Sequence, residues 1–285
     1  MVSLNLQPGT FTFTHDSLTL YYTIKPEPAK PISSTPVIIQ PPGWGIGIAI
    51  YRSAFRSLED DFQIIYLEAR GTDRSERPNE PDDMSSRMMA ADLEALRVHL
   101  GLSNVNVIGH SGGATIALSH AILYPQKQSK VVLLNGYLLG QPPSSNALEF
   151  RANIIRIRNE MQPTTDEAFR RFFLCIVTGY FYDPIAGVPE FDAALTNTPS
   201  LWAHASWHGA DSRSGWRQAD DLHRVEAQTL VLVGRQDQIC DVDTAEVIHQ
   251  GIKGSQLKII EECGHFPWIE KPSEFYECIR EFLKD

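Results

Sequence analysis

Short apolar runs alternate with amphipathic stretches along most of the chain, and turns containing glycine, proline or aspartate separate them. Wholly apolar runs of this length are typical of strands buried on both faces of a parallel sheet. We predict an edge hairpin over residues 11–24, and buried strands over 37–39, 62–67, 106–109, 131–135, 229–233 and 257–260. Helical spacing of apolar side chains predicts helices over residues 51–58, 85–99, 243–250 and 272–283. The alternation of strand and helix predicts an α/β fold with a mostly parallel central sheet flanked by helices.

The alternation is interrupted between residues 136 and 222. Periodic strands disappear there, and residues 148–161 and 166–177 have a helical pattern, with breaks that contain proline, glycine and aspartate. We therefore predict an α/β core formed by residues 1–135 and 223–285. The intervening residues 136–222 are predicted to form an inserted helical cap, or lid.

One serine lies where a predicted strand gives way to a predicted helix. Residues 109–113 read Gly-His-Ser-Gly-Gly, so Ser111 has a glycine two positions before it and another two positions after it. A strand–turn–helix of this kind presents the serine at the tip of a sharp turn, where larger flanking residues would collide with neighbouring backbone. The amino end of the following helix also favours negative charge beside the hydroxyl. The pattern predicts a nucleophile elbow.

A serine nucleophile needs an imidazole to accept its proton and a carboxylate to orient that imidazole. Asp237 and His265 each follow one of the last two predicted strands, and they come after Ser111 in the chain. We therefore predict that these three residues form a catalytic triad. Asp241 and Asp243 are competing candidates for the acid, but both lie further from the strand end. Asp243 is instead expected to cap the next helix.

Composition and charge restrict the class of protein. The chain has 285 residues, 42% of them hydrophobic, which suffices for a large core. A net charge of −10 without clustered Lys and Arg excludes nucleic acid as an expected partner. Four cysteines without C-x-x-C spacing, no leader-like opening and no apolar run near the roughly 18 residues of a membrane span predict a cytoplasmic protein with no membrane partner. The expected partner is a small-molecule substrate, no metal or other cofactor is expected, and a homodimer is left open.

The elbow, the Gly-x-x-Asp acid turn and the Gly-His-Phe-Pro histidine turn resemble those of the α/β-hydrolase superfamily. The order Ser111, Asp237, His265 is the order of nucleophile, acid and histidine in that superfamily, and the resemblance spans nearly the whole chain. It implies an α/β-hydrolase fold with a helical cap between the two parts of the core. It also implies a serine nucleophile without a cofactor.

The resemblance implies an oxyanion hole formed by two backbone N–H groups. One donor is expected from Gly112, directly after the serine, and the other from the glycine-rich turn at residues 40–45. Members of the superfamily usually have His-Gly in this turn, whereas this chain has Pro42-Gly43. Proline has no N–H, so the second donor is expected to be Trp44 or Gly43, with Trp44 favoured.

A second turn, at residues 68–75, is similar to the D-x-R-G-x-G-x-S stretch of the superfamily. Glu68 replaces the first aspartate and Asp73 replaces the second glycine. Aspartate adopts left-handed backbone more readily than most residues, so the turn can persist. Its role is expected to be structural, and Arg70 is therefore left outside the catalytic set.

Aromatic and histidine side chains are dense in the predicted cap, and one histidine precedes the serine. The predicted substrate-contacting residues are His110, Trp202, His204, Trp207, His208 and Trp216. Burial of the tryptophans in the core is the competing interpretation. His204 and His208 lie four residues apart, but no third ligand accompanies them, so zinc is not expected.

The residues favour acyl transfer to water, with an ester, lactone or thioester as substrate. Three alternatives stay open. One is a proline-iminopeptidase-like aminopeptidase that holds a substrate amine with acids of the cap; the candidate acids are Glu149, Glu160, Asp166, Glu167, Asp183, Glu190 and Asp192. The others are a cofactor-independent dioxygenase of the same fold and a non-catalytic ligand receptor, both suggested by resemblance to members of the superfamily.

Overall fold

A computed structural model describes residues 6–142 and 144–285, and it contains one eight-stranded sheet. The strands are β1 (Gly9–His15), β2 (Leu18–Ile24), β3 (Val37–Gln40), β4 (Ile64–Leu67), β5 (Val105–His110), β6 (Gln128–Leu134), β7 (Gln228–Gly234) and β8 (Gln256–Ile260). Their spatial order is β1-β2-β4-β3-β5-β6-β7-β8. Strands β1 and β2 pair antiparallel with each other, β2 pairs antiparallel with β4, and the remaining pairs are parallel. The predicted α/β fold with a mostly parallel sheet is confirmed.

The helices follow the predicted alternation. They are α1 (Ala49–Ala54), α2 (Ser86–His99), α3 (Gly112–Leu123), α4 (Ser145–Met161), α5 (Asp166–Val177), α6 (Pro184–Ala194), α7 (Leu201–Ser214), α8 (Gln218–Asp221), α9 (Val242–Gly251), α10 (Pro267–Glu270) and α11 (Pro272–Leu283). Short 3₁₀ turns lie at Arg56–Leu58, Pro81–Met84, Thr178–Tyr180 and Leu222–Arg224. None of the helices in the described residues is long and apolar enough to cross a membrane.

The predicted edge hairpin is present, and a two-residue turn closes it. Asp16 and Ser17 form the two-residue turn between β1 and β2, and both have positive φ, 52° and 63°. A two-residue turn with positive φ at both positions matches the right-handed twist of the flanking strands. This geometry sets the register of the hairpin.

Two of the predicted local details differ from the structure. The predicted helix over residues 51–58 is the short α1 followed by a 3₁₀ turn. Asp243 is not the cap of α9, since the side chain of Asp241 accepts the N–H of Thr244 at 2.9 Å. The capping residue lies two positions earlier than predicted and the helix begins one residue earlier, at Val242, because the cap position depends on local backbone geometry.

A separate hydrophobic core packs on each face of the sheet. On β3, Val37 and Ile39 pack on one face while Ile38 packs on the other, as the two-residue period of a strand requires. Helices α1 and α11 cover the first face, and α2, α3 and α9 cover the second. The carboxyl ends of the parallel strands stay open at one edge of the sheet, which is where an α/β protein places its site.

Helices α4 to α8 occupy the segment between β6 and β7 in which the cap was predicted. The buried face of α5 carries Phe169, Phe172 and Phe173, which join the core cluster on the α1 side of the sheet. Phe173 also packs edge-on against Trp44 of the turn after β3, with ring centroids 4.8 Å apart. Aromatic burial therefore attaches these helices to the sheet.

A buried ion pair ties the turn after β4 to helix α2. Arg70 donates from Nε and Nη2 to the two carboxylate oxygens of Asp92, each at 2.7 Å, and from Nη1 to the carbonyl of Asp83 at 2.8 Å. Asp92 also bonds Nδ1 of His15, at the end of β1. Asp73 of the same turn has φ 48°, the left-handed backbone expected where the superfamily has glycine. The turn is therefore a structural junction of three elements.

Replacing Arg70 by methionine should lower the free energy of unfolding by about 3–5 kcal/mol, because the carboxylate of Asp92 would stay buried without its main partner. Urea unfolding followed by circular dichroism measures this. Arg156→Met is the matched control, since Arg156 forms an exposed pair with Glu160 and should change stability by no more than about 0.5 kcal/mol. Equal effects of the two substitutions would contradict the assigned role of Arg70.

Candidate active site

Ser111 occupies a sharp turn between β5 and α3. Its backbone has φ 55° and ψ −124°, a conformation that non-glycine residues adopt only when the surroundings enforce it. A Cβ at Gly109 would lie 2.2 Å from the carbonyl oxygen of Gly113, and one at Gly113 would lie 2.2 Å from that of Gln40. The serine N–H donates to the carbonyl of Leu134 at 2.9 Å. Packing of the elbow therefore requires both glycines and holds the strained serine.

Asp237 and His265 form a buried pair beside the elbow. The carboxylate oxygen Oδ2 of Asp237 lies 2.7 Å from Nδ1 of His265, and both side chains are almost fully buried. An ionised carboxylate can only accept, so Nδ1 carries the hydrogen and the neutral ring keeps its lone pair on Nε2. This tautomer is the one that a general base acting through Nε2 requires.

The carboxylate of Asp237 is held by three further donors. Its Oδ1 accepts the N–H groups of Ile239 at 2.8 Å and Cys240 at 3.1 Å, and Oδ2 accepts Nδ2 of Asn135 at 2.7 Å. Asn135 directly follows β6 and has φ 45°. Sequence reasoning gave it no role, although a polar residue directly after an apolar strand was the available signal. It orients the acid from the neighbouring strand.

Within the described residues, the Ser111 hydroxyl forms no hydrogen bond with His265. It contacts the thiol of Cys240, which lies with Asp237 and His265 in one cluster. Burial, and then the nearby charge of Asp237, raise the pKa of the Cys240 thiol well above its usual value. The thiol is therefore protonated at neutral pH and does not compete with the serine as a nucleophile.

Three side chains of this cluster offer one oxygen, one sulfur and one nitrogen within 4.8 Å of one another: Asp237, Cys240 and His265. A metal would need the thiolate form of Cys240, which its buried setting disfavours. It would also compete with the hydrogen bonds that Asp237 already accepts. The chemistry of the donor set does not favour a metal centre.

His110 lies beneath His265 and is not among the residues that line the cavity described below, where substrate contact was expected of it. Its Nε2 donates to the carbonyl of His265 at 2.8 Å, and its Nδ1 accepts the hydroxyl of Tyr51 at 3.0 Å. Burial lowers the pKa of His110 well below its usual value, and the neighbouring His265 lowers it further. The neutral His110 ring has one defined tautomer, and its hydrogen bond holds the backbone of His265 in place.

The cap also holds that turn. The backbone N–H of His265 donates to the carbonyl of Tyr180 at 2.7 Å, and the two rings meet edge to face at 5.2 Å. Tyr180 ends the 3₁₀ turn that follows α5. The position of His265 therefore depends on the helices between β6 and β7 as well as on the sheet.

Ser111 opens into a cavity of about 640 Å³ between the sheet edge and the helices of the insertion. Three of the predicted contact residues line it, His204, Trp207 and His208, and so does Trp44, which was predicted for the oxyanion hole. Trp202 and Trp216 are not among its lining residues. The Trp202 ring lies 3.5 Å beneath the guanidinium of Arg77, and Trp216 donates to Asp221 at 2.8 Å. Both tryptophans have their own partners away from the cavity.

Trp207 packs against both glycines of the predicted oxyanion hole. A Cβ at Gly112 would lie 2.3 Å from its ring, and one at Gly43 would lie 3.0 Å from it. The indole donates to Oγ of Ser86 at 3.0 Å, and Ser86 donates to Asp211 from both Oγ, at 2.6 Å, and the backbone N–H, at 2.7 Å. A cap tryptophan therefore fixes the spacing of the two turns. That Gly112 and Trp44 or Gly43 donate to an oxyanion stays a prediction.

Titratable groups on the cavity wall have shifted pKa values. Burial lowers the pKa of His204 well below its usual value, and it is the main cause that lowers the pKa of His208 to about 4. Burial also raises the pKa of Asp211 to about 6, although its hydrogen bonds from Ser86 oppose this shift. Both histidines are therefore neutral at pH 7.

A family model described as the alpha/beta hydrolase fold matches residues 36–272. The chain belongs to the α/β-hydrolase superfamily, as its residues indicated, and the expected class of enzyme, a hydrolase, is confirmed.

Three proteins illustrate the range of its relatives. A 2-hydroxy-6-oxononadienedioate/2-hydroxy-6-oxononatrienedioate hydrolase of Pseudomonas putida is 26% identical, over 85% of each chain. A proline iminopeptidase of Saccharolobus solfataricus is 22% identical, over 77% of this chain and 75% of the relative. The solved structure of the enol-lactonase from Burkholderia xenovorans superposes with a TM-score of 0.73 and 16% identity, covering 96% of this chain and all of that chain (100%).

Asp211→Asn should change how stability depends on pH. The pKa of Asp211 is raised from 3.8 to about 6 in the folded protein, so between these values the folded state binds a proton that the unfolded chain does not. Wild-type stability relative to the variant should therefore rise by about 2–3 kcal/mol as pH falls from about 7 to about 4. Urea unfolding at several pH values measures the difference.

Asp82→Asn is the matched control, because Asp82 is exposed and pairs with Arg213. If the difference in the free energy of unfolding between wild type and Asp211→Asn stays constant over this pH range, the raised pKa of Asp211 is contradicted.

Proposed function

We propose that this protein is a serine hydrolase that cleaves an acyl bond of a small-molecule ester, lactone or thioester. The observation that carries the proposal is the 2.7 Å hydrogen bond between Asp237 and His265, buried beside a serine on a strained strand-to-helix turn. A carboxylate, a histidine of defined tautomer and an elbow serine are the parts that nucleophilic acyl transfer requires.

In the first half of the proposed reaction, the Ser111 hydroxyl turns from Cys240 towards His265 as substrate binds. The oxygen then adds to the carbonyl carbon while Nε2 of His265 takes the proton, and Asp237 stabilises the imidazolium. Catalytic hydrogen bonds that are absent in a free site often form only in the complex with substrate.

In the second half, His265 gives its proton to the departing alcohol or thiol, and an acyl group stays on Ser111. Water, deprotonated by the same imidazole, then releases the acid and restores the serine. The N–H of Gly112, together with that of Trp44 or Gly43, is proposed to hold the negative oxygen in both steps. The positive end of α3 adds to this stabilisation.

The walls of the cavity support an organic substrate with substantial apolar surface. Trp44, Phe173, Ile176 and Tyr180 line the cavity together with Ser111. Related proteins are named hydrolases of oxo-dienoates and an enol-lactonase, which is consistent with a carbonyl substrate. The aminopeptidase alternative has a relative too, but none of the seven cap acids considered for amine binding lines the cavity.

Wild-type protein treated with a fluorophosphonate should gain one covalent adduct in its intact mass, and peptide mapping should place the adduct on Ser111. Ser111→Ala should abolish the adduct. His265→Ala should slow its formation by at least ~10³-fold, because the hydroxyl would lose its base. Ser212→Ala is the matched control, since Ser212 lines the same cavity.

Absence of an adduct on the wild-type protein would contradict the proposal. If Ser111→Ala still consumed substrate at a rate near that of wild type, the dioxygenase alternative would replace it. Tight ligand binding without turnover of any ester would instead favour a receptor.

A further inference from the structure

Two arginines of helix α4 face the cavity that contains Ser111. Arg151 and Arg158 lie seven residues apart, two helical turns, so they project from the same side of α4. Within the described residues, neither guanidinium forms an ion pair or a side-chain hydrogen bond. By contrast, Arg156 of the same helix bonds Glu160 and Asn153 away from the cavity. Arg151 is partly buried and Arg158 is exposed, and both line the cavity without the partners that Arg156 has.

The charges of these arginines act inside the cavity. After burial, the charges of Arg151 and Arg158 are the causes that lower the pKa of His208. Arg151 also opposes the rise in pKa that burial produces at Tyr180 and at Cys240, the neighbour of Ser111. Its positive charge is therefore near both the cap histidines and the catalytic cluster.

Among the described residues that line the cavity, Asp211 is the only acidic one, and Ser86 already donates to both of its carboxylate oxygens. With His204 and His208 neutral, the wall carries more positive than negative charge. The whole protein has a net charge of −10, so this local excess opposes the overall field. A positive, partly enclosed wall raises the local concentration of anions.

We propose that the cavity recognises acyl substrates that carry a carboxylate, which Arg151 binds and Arg158 attracts. This inference rests on the proposed function, because it requires the scissile carbonyl to reach Ser111. The planar guanidinium can donate two parallel hydrogen bonds to a carboxylate, and the aromatic wall formed by Trp44, Phe173 and Tyr180 can contact the apolar chain between the two ends of the substrate. A substrate amine would meet like charge.

The experiment compares two esters of equal chain length: 4-nitrophenyl hexanoate and the mono-4-nitrophenyl ester of adipic acid, which adds a terminal carboxylate. Wild type should have the higher kcat/KM for the adipate ester. Arg151→Met should lower the ratio of the two kcat/KM values by about 10–100-fold, the loss expected for a charge-assisted hydrogen bond. Arg156→Met is the matched control on the same helix and should leave the ratio within about twofold of wild type.

The salt dependence of the wild-type protein tests the same attraction without any substitution. The preference for the adipate ester should weaken as ionic strength rises, because salt screens the attraction between an arginine and a carboxylate. Equal loss of activity on both esters in Arg151→Met, or a preference that does not respond to salt, would overturn the inference.

Binding without turnover separates the inference from the proposed function. In Ser111→Ala, calorimetry should show about 10-fold tighter binding of monomethyl adipate than of methyl hexanoate, and the added Arg151→Met substitution should remove this difference. Such a difference in a protein that hydrolyses neither nitrophenyl ester would support the carboxylate subsite and contradict the hydrolase. Equal binding of the two methyl esters would overturn the subsite, whether or not the wild type is an esterase.

Discussion

The buried hydrogen bond between Asp237 and His265 is the interaction on which the site depends. Burying a charged carboxylate without hydrogen bonds is costly, so Asp237 needs the donors around it. Asn135, directly after the neighbouring strand β6, supplies one of them. His110 and Tyr180 fix the backbone of the base from the core and from the cap. Residues at or after the carboxyl ends of β5, β6, β7 and β8 therefore meet at this pair.

The helices between β6 and β7 do more than cover the site. Trp207 touches the glycines at both predicted oxyanion positions, and its N–H is held by Ser86 at the start of α2. Ser86 in turn bonds Asp211, one turn further along α7. One chain of hydrogen bonds, from Trp207 through Ser86 to the carboxylate of Asp211, therefore joins α7 to the start of α2.

Charge in this protein is distributed unevenly. Acidic residues dominate the surface as a whole, whereas the cavity wall holds Arg151 and Arg158 beside two neutral histidines. The substrate surface near Ser111 is apolar, and the arginines stand on the helix above it. A ligand with an apolar acyl part and an anionic end matches both regions at once, which links specificity to the cap and chemistry to the sheet.

Local patterns in the sequence were enough to predict the sheet, the turn at Ser111 and the placing of Asp237 and His265 after successive strands, because strand period, glycine spacing and strand-end positions are read from neighbouring residues. It could not decide which aromatic residues meet the substrate. Trp207 lines the cavity while Trp202 and Trp216 find partners elsewhere, and only the packing of α7 on the core separates them. The hydrogen bonds of His110 and Asn135 and the place of Arg151 on the cavity wall likewise join residues far apart in the chain, so they follow from the packing of the folded chain and from no local pattern.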